Sequence, residues 1–133
     1  MYRVTQELPF CYGHRLLKHP GKCARLHGHN GVAKVTLSSQ GLDAQGMVFD
    51  FDELLSSLGA WLLAELDHKL LLERGDPAIA ALRDITEPLV ELPFAPTAEN
   101  LARYIFDRAR LLGLPVTAVH LVEQPGSEAT YVE

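Results

Sequence analysis

Hydrophobic and polar residues alternate along several stretches of the chain, and this pattern predicts β-strands. In the clearest stretch, Ala33, Val35 and Leu37 fall on one side and mainly polar residues fall on the other, as in an antiparallel strand that is buried on one face. The predicted strands cover residues 2–8 with a continuation through 10–14, then 30–39, 116–123 and 129–132.

Two longer stretches repeat apolar residues at helical spacing. The first helix is predicted over residues 51–66, with Asp50 placed to cap its start, and the second over residues 98–112, with Thr97 as its cap. Residues 76–84 predict a short helical turn before an irregular, proline-rich stretch. The two long stripes predict helices that pack on a sheet.

The order of these elements predicts one α+β domain over residues 1–133. Two helices would lie on one face of a four-stranded antiparallel sheet. Such a sheet leaves two edge strands unpaired, and unpaired edges favour association with another chain. We therefore expect copies of the chain to join their sheets edge to edge into a closed barrel.

The composition is that of a globular protein, and it argues against two classes of partner. The 133 residues are 47% hydrophobic and carry a formal net charge of -5, whereas nucleic-acid binding needs clustered Lys and Arg. No segment reaches about 18 uninterrupted apolar residues, and the N-terminus lacks the apolar run of a signal peptide. We expect a soluble cytoplasmic protein that binds neither nucleic acid nor membrane.

The main candidate for chemistry is the segment at residues 23–29, which contains Cys23, His27 and His29. Side chains two residues apart on a strand point to the same side, about 6.6 Å apart, so the two imidazoles can converge on one ion. A catalytic zinc typically has three protein ligands and one open position. Cys23 is one candidate for the third ligand, or it is a free thiol that takes part in the reaction. His14, on the neighbouring predicted strand, is the other candidate ligand.

Three further residues are candidates for proton transfer or binding. Asp67 and His68 place a carboxylate beside an imidazole at a helix end, which suits proton transfer where the geometry allows, although His68 could equally cap that helix. Glu123 ends an apolar strand, where a buried carboxylate needs a hydrogen-bond donor. The alternative is that Glu123 is a solvated strand end.

Basic residues cluster near the first histidines although the chain as a whole is acidic. Such a cluster could bind a small anion, or it could belong to a solvated loop. Its members are Arg15, Lys18, Lys22 and Arg25.

Five short motifs occupy nearly the whole chain in a fixed order. They are Phe10-x-x-Gly13-His14, Cys23-x-x-x-His27-Gly28-His29, Leu66-Asp67-His68, Pro96-Thr97-x-Glu99-Asn100, and Glu123 followed by Ala129-x-Tyr131. Together they resemble the 6-pyruvoyl-tetrahydropterin synthase superfamily. The gap between Cys23 and His27 is similar to that of its bacterial queuosine-pathway branch, the 6-carboxy-5,6,7,8-tetrahydropterin synthases, more than to that of the animal pyruvoyl branch.

The resemblance implies the tunnelling fold and a zinc-dependent lyase. The implied reaction converts 7,8-dihydroneopterin triphosphate to 6-carboxy-5,6,7,8-tetrahydropterin and releases triphosphate and acetaldehyde. A pyruvoyl synthase, which eliminates triphosphate without cleaving the side chain, is the alternative, and a non-catalytic structural zinc-binding module is a distant one. The resemblance also implies a homo-oligomer, expected as a hexamer formed from two trimers, with active sites at subunit interfaces.

The resemblance also assigns roles to individual residues. His14, His27 and His29 match the zinc ligands. Cys23 matches the catalytic proton acceptor, and Asp67 with His68 matches a proton relay. Glu123 matches the anchor of the pterin ring, and Thr97 and Glu99 lie in a segment that lines the pterin pocket.

The chain departs from the family pattern at a few positions. Tyr12 and Gly13 replace a pair of small residues, Leu72 stands where an asparagine is common, and Gln124 replaces a threonine. These positions affect the shape of the pocket and leave the predicted ligands and acid–base groups in place.

Overall fold

A computed structural model describes residues 1–85 and 88–133, and six strands in these residues form one sheet. The strands are β1 (Tyr2–His14), β2 (His27–Ser39), β3 (Lys69–Glu73), β4 (Leu89–Leu92), β5 (Val116–Gln124) and β6 (Ser127–Val132). Their order across the sheet is β4-β3-β1-β2-β5-β6. The outermost strands of the sheet are therefore β4 and β6.

The four predicted strands are confirmed, but the prediction of a four-stranded, wholly antiparallel sheet was wrong. β1, β2, β5 and β6 pair antiparallel, whereas β3 pairs parallel with both β1 and β4. In β3, the adjacent residues Leu71 and Leu72 are both fully buried. A strand buried on both faces has a continuous apolar run instead of an alternating one, so its sequence carries no strand-like period.

The three helices lie close to their predicted positions. Helix α1 consists of three consecutive segments, Phe51–Leu54, Leu55–Gly59 and Ala60–Glu65, and the middle segment is π-helical. Helix α2 is Ala78–Leu82, and helix α3 is Ala98–Leu111. The side chain of Asp50 accepts a hydrogen bond from the Asp52 N–H at 2.8 Å, and that of Thr97 accepts one from the Asn100 N–H at 3.2 Å. Both predicted caps are confirmed.

Within residues 1–85 and 88–133, none of the helices has the length and apolar character needed to cross a membrane. Residues 86 and 87, which belong to the predicted irregular stretch, lie outside the described residues.

The hydrophobic core lies between one face of the sheet and helices α1 and α3. Burying each large apolar side chain contributes about 1.5–3 kcal/mol relative to leaving it exposed, so this face holds the fold together. The helices contribute Leu54, Leu58, Leu62, Leu101, Ile105 and Phe106, and the sheet contributes Leu8, Phe10, Ala33, Val35, Leu37, Val119 and Leu121.

The pairing of β1 with β2 places the histidines at the end of this core-facing side. Tyr12 lies opposite His29, and His14 lies opposite His27. Because alternate residues of a strand share a face, His14 continues the buried series that runs along β1 through Leu8. Three imidazoles therefore meet where the apolar core ends.

Candidate active site

Three histidines form a compact cluster at the ends of β1 and β2. The Nε2 atoms of His14 and His27 are 3.0 Å apart, and the His29 ring centroid lies 5.0 Å from each of the other two. One nitrogen from each ring lies within 4.8 Å of the others. The spacing predicted from the strand register thus brings all three imidazoles together.

Hydrogen bonds to backbone carbonyls determine which nitrogens face the centre of the cluster. The Nδ1 of His14 lies 2.8 Å from the Pro96 carbonyl oxygen, and the Nδ1 of His27 lies 2.6 Å from that of Arg25. Carbonyl oxygens only accept, so each Nδ1 carries the proton and each Nε2 presents a lone pair. The two Nε2 atoms are 3.0 Å apart, and their lone pairs repel each other unless a cation lies between them.

The remaining histidine points to the same conclusion. The Nε2 of His29 is buried and has no hydrogen-bond partner among the residues described. Burial lowers the pKa of both His14 and His29 below the ordinary value of 6.5, so both are neutral at pH 7, the form that binds metals. The donor set therefore fits a metal ion, with two of its ligands oriented by backbone carbonyls.

Glu123 lies beside the histidine cluster. Its Oε1 is 3.6 Å from His14 Nε2 and 3.7 Å from His29 Nε2, and it accepts a hydrogen bond from the Tyr12 hydroxyl at 3.3 Å. Burial, followed by the charge of Glu123, raises the pKa of Tyr12, so this hydroxyl stays protonated and donates. The carboxylate at the end of this strand therefore has its donor in Tyr12, a residue that the sequence connected only with the shape of the pocket.

The three histidines and Glu123 line a cavity of about 920 Å³. The predicted site residues in its wall are His14, Cys23, His27, His29, Thr97, Glu99 and Glu123. Lys22 and Arg25 also line it. Arg15 instead binds the buried Asp76 through two hydrogen bonds, one of them from Nε at 2.7 Å, so its charge is already paired.

Asp67 and His68 lie elsewhere, beside Cys11. Asp67 accepts hydrogen bonds from His68 Nδ1 at 2.7 Å and from the Cys11 backbone N–H at 2.9 Å. Burial alone would raise the pKa of Asp67, but these hydrogen bonds and the neighbouring charges of His68 and Lys69 lower it. The carboxylate–imidazole pair that the sequence suggested is therefore formed.

The backbone of His68 has an uncommon conformation. Its φ is +57°, a left-handed value that is rare for residues other than glycine, and its N–H donates to the Cys11 carbonyl at 2.7 Å. This single residue turns the chain from α1 into β3. Uncommon backbone conformations of this kind concentrate at functional sites, where the surrounding structure maintains them.

The structure does not bring Cys23 and His68 into one cavity. His68 lines a second cavity of about 620 Å³ together with Cys11, Tyr12 and Gly13, and this cavity shares a wall with the first one at residues 26–29. Within one chain, the predicted proton acceptor and the predicted relay thus line different cavities. Cys11 was not predicted as a site residue.

Comparison with known proteins places the chain in a family. Residues 3–133 match the family described as 6-pyruvoyl tetrahydropterin synthase. The chain is 36% identical over 129 residues to the 6-carboxy-5,6,7,8-tetrahydropterin synthase of Aquifex aeolicus, covering 87% of this chain and 79% of that protein. It is 31% identical over 141 residues to the protein of the same name from Haemophilus influenzae, covering 100% of both chains.

Solved structures agree with the sequence comparison. An uncharacterized protein from Wolinella succinogenes superposes with a TM-score of 0.84 at 26% identity, covering 99% of this chain and 98% of that one. The 6-pyruvoyl tetrahydropterin synthase of Caenorhabditis elegans superposes with a TM-score of 0.71 at 26% identity, covering 100% and 97%. The resemblance inferred from five motifs, the α+β class and the prediction of a lyase-type enzyme are confirmed. The chain belongs to the 6-pyruvoyl tetrahydropterin synthase family.

Proposed function

We propose that this chain is a zinc-dependent 6-carboxy-5,6,7,8-tetrahydropterin synthase of queuosine biosynthesis. Its substrate is 7,8-dihydroneopterin triphosphate, and its other products are triphosphate and acetaldehyde. The observation that carries the proposal is the convergence of three imidazoles, a thiol and a carboxylate on one cavity of about 920 Å³. The names of the relatives from Aquifex aeolicus and Haemophilus influenzae support the choice of reaction.

His14, His27 and His29 would hold the zinc ion. Neutral imidazole nitrogen is a preferred zinc ligand, and three protein ligands leave a position open for substrate. Bound zinc would act as a Lewis acid toward the hydroxyl oxygens of the substrate side chain. The two carbonyl contacts at Pro96 and Arg25 support this assignment because they direct the Nε2 lone pairs inward.

The other residues of the cavity divide the work of binding and proton transfer. Cys23 accepts a proton from a side-chain carbon of the substrate. Glu123 accepts two hydrogen bonds from the ring N–H and the amino group of the pterin, a charge-assisted pairing. Thr97 and Glu99 line the pterin pocket, and Lys22 and Arg25 attract the triphosphate that leaves.

Asp67 and His68 serve as the proton relay of a neighbouring copy. His68 has 78% of its side chain exposed, so its ring can reach a surface that another copy presents. The unpaired outer edges of β4 and β6 are suited to joining sheets between copies. We propose a homo-oligomer, a hexamer built as a dimer of trimers, in which the single domain of residues 1–133 works in the cytoplasm.

A product assay tests the proposal. The zinc-loaded protein is incubated with 7,8-dihydroneopterin triphosphate, and acetaldehyde, triphosphate and the pterin product are measured. Equal yields of acetaldehyde and triphosphate are expected. Triphosphate without acetaldehyde would instead indicate a 6-pyruvoyl-tetrahydropterin synthase, the activity for which the family is named. The absence of both products would favour a structural zinc-binding module.

A further inference from the structure

We propose that Tyr12 is a positioning residue: its hydroxyl holds the carboxylate of Glu123 in place for the pterin ring and keeps it from turning onto the cation. The pterin part of this inference rests on the proposed function. The cation part rests only on the histidine cluster. Neither part requires Tyr12 to touch the reacting atoms.

The carboxylate of Glu123 has two competing attractions. On one side, its Oε1 accepts the Tyr12 hydroxyl at 3.3 Å, and on the other it is 3.6 Å from His14 Nε2 and 3.7 Å from His29 Nε2. A cation bound by those nitrogens would attract a carboxylate this close, and carboxylate oxygen is itself a zinc ligand at about 2.0–2.2 Å. Such a move would fill the open position and take the carboxylate away from the pterin.

The Tyr12 ring is held firmly enough to oppose that move. Only 3% of Tyr12 is exposed. Its ring stacks on Phe10 at 5.1 Å between centroids, and it contacts the rings of His14 at 5.2 Å and His29 at 5.8 Å. A side chain whose rotamer is locked by packing in this way can position a neighbouring functional group.

The neighbouring strand makes room for this ring. A Cβ atom at Gly31 would lie 3.1 Å from Cε1 of Tyr12, closer than ordinary van der Waals contact. A side chain at Gly31 would therefore require the Tyr12 ring to shift from the position in which its hydroxyl reaches Glu123. The large side chain of Tyr12 on β1 thus fits in the space left by Gly31 on β2.

The test uses Tyr12→Phe, which removes the hydroxyl and keeps the ring, alone and combined with Glu123→Gln. Tyr104→Phe is the matched control, because Tyr104 packs against Trp61 and Phe94 and lines neither cavity described above. Two properties are measured without turnover: the affinity for neopterin, by fluorescence titration, and the visible spectrum of the Co²⁺-loaded protein, which reports metal coordination. Zinc content is measured in parallel.

In the wild-type background, Tyr12→Phe is expected to weaken neopterin binding by about three- to tenfold, an effect within the range for ordinary hydrogen bonds and below that for hydrogen bonds to charged groups, because 3.3 Å is long for an O–H···O bond. It is also expected to change the Co²⁺ spectrum as the carboxylate reaches the ion. In the Glu123→Gln background, both effects should disappear, and zinc content should stay the same throughout.

Equal effects in both backgrounds would mean that the Tyr12 hydroxyl acts independently of Glu123, and the proposal would be wrong. It would also be wrong if the Co²⁺ spectrum of Tyr12→Phe matched that of the wild type. If the wild-type protein bound no neopterin, the proposed function would fail, and the Co²⁺ spectra of the four proteins would still decide whether Tyr12 holds the carboxylate.

Discussion

The two faces of the sheet carry two differently built groups of polar residues. On the core-facing side, His14 has 2% and His29 has 10% of its side chain exposed, and both project from long paired strands. On the other side, His68 has 78% of its side chain exposed and lies in the turn between α1 and β3. The first group is shaped by the register of two strands, whereas the second is held by a few hydrogen bonds around one backbone turn.

This contrast indicates which half of the site is complete in a single chain. The histidine cluster has its orienting carbonyls, its neighbouring carboxylate and its cavity in place before any ligand arrives. The Asp67–His68 pair has a formed hydrogen bond at 2.7 Å, but the His68 ring is largely exposed and lines a cavity that does not contain Cys23. We infer that the second half becomes useful only against the surface of another copy.

The largest expected effect is on the histidine cluster. His27→Ala removes one of the three proposed metal ligands, so we expect bound metal and activity to be lost together. Metal analysis of the purified variant and a product assay measure both. His120→Ala is the matched control, because His120 pairs with Glu128 at 2.7 Å on β5 and lies outside the cluster. Full activity in a metal-free preparation would contradict the zinc proposal.

Substitution of the two cysteines compares the two faces directly. Cys23→Ala should keep stoichiometric zinc and lower kcat by about 10³-fold, within the range of about 10²–10⁴ for loss of a general base. Cys11→Ala, on the opposite face, should have a much smaller effect on kcat. Loss of zinc from Cys23→Ala would show that the sulfur is a ligand and would favour a structural site.

His68→Ala should lower kcat by about 10²-fold while zinc content stays unchanged, because the proposed role of His68 is proton transfer and the proposed zinc ligands lie elsewhere. The decisive measurement mixes subunits. When His68→Ala and Cys23→Ala are co-expressed, some interfaces combine an intact Cys23 with an intact His68, so activity should exceed that of either variant alone. Mixed oligomers with no recovered activity would mean that both residues act within one chain.

The smallest expected effect is on the pH dependence of stability, because the histidine cluster and Asp67 should affect the free energy of unfolding in different pH ranges. In the metal-free protein, the lowered pKa of His14 and His29 means that the unfolded chain takes up more protons just below pH 6.5, so the free energy of unfolding falls as pH drops through that value. The slope cannot exceed about 1.4 kcal/mol per pH unit for each histidine. Asp67, with a pKa lowered from 3.8, contributes stability that is lost only below that pH.

Urea titrations between about pH 5 and 8 measure this slope. His14→Gln should flatten it, since the substituted side chain takes up no proton in either state. An unchanged slope in that variant would mean that the dependence arises from other groups.

Much of the fold could be predicted because apolar residues recur at regular spacing along most of its strands and helices. The alternation in β2 and β5 and the stripes of α1 and α3 reflect burial on one side only, which a sequence displays directly. β3 escaped prediction because Leu71 and Leu72 are buried on opposite faces of the same strand. A run of leucines without alternation does not distinguish a strand from a helix end.

The site divided in a similar way. The convergence of His27 and His29 follows from the period of a strand, so spacing was enough to predict it, whereas the choice of His14 as the third member of the cluster came from the family resemblance. The role of Tyr12 was not predictable, because the carboxylate that it contacts lies 111 residues away in the chain. Its side chain resembles an ordinary core aromatic until the register of three strands is known.

By itself, the sequence determined which side chains are candidates for the site, the class of the fold and the family. These depend on residue identity, local spacing and motif order. Only the tertiary structure decided that Arg15 pairs with Asp76, that Tyr12 reaches Glu123, and that Cys23 and His68 line different cavities. Those relations depend on which strands become neighbours and on which side each residue projects. Both are set by packing across the whole core, and no short segment of the chain contains that information.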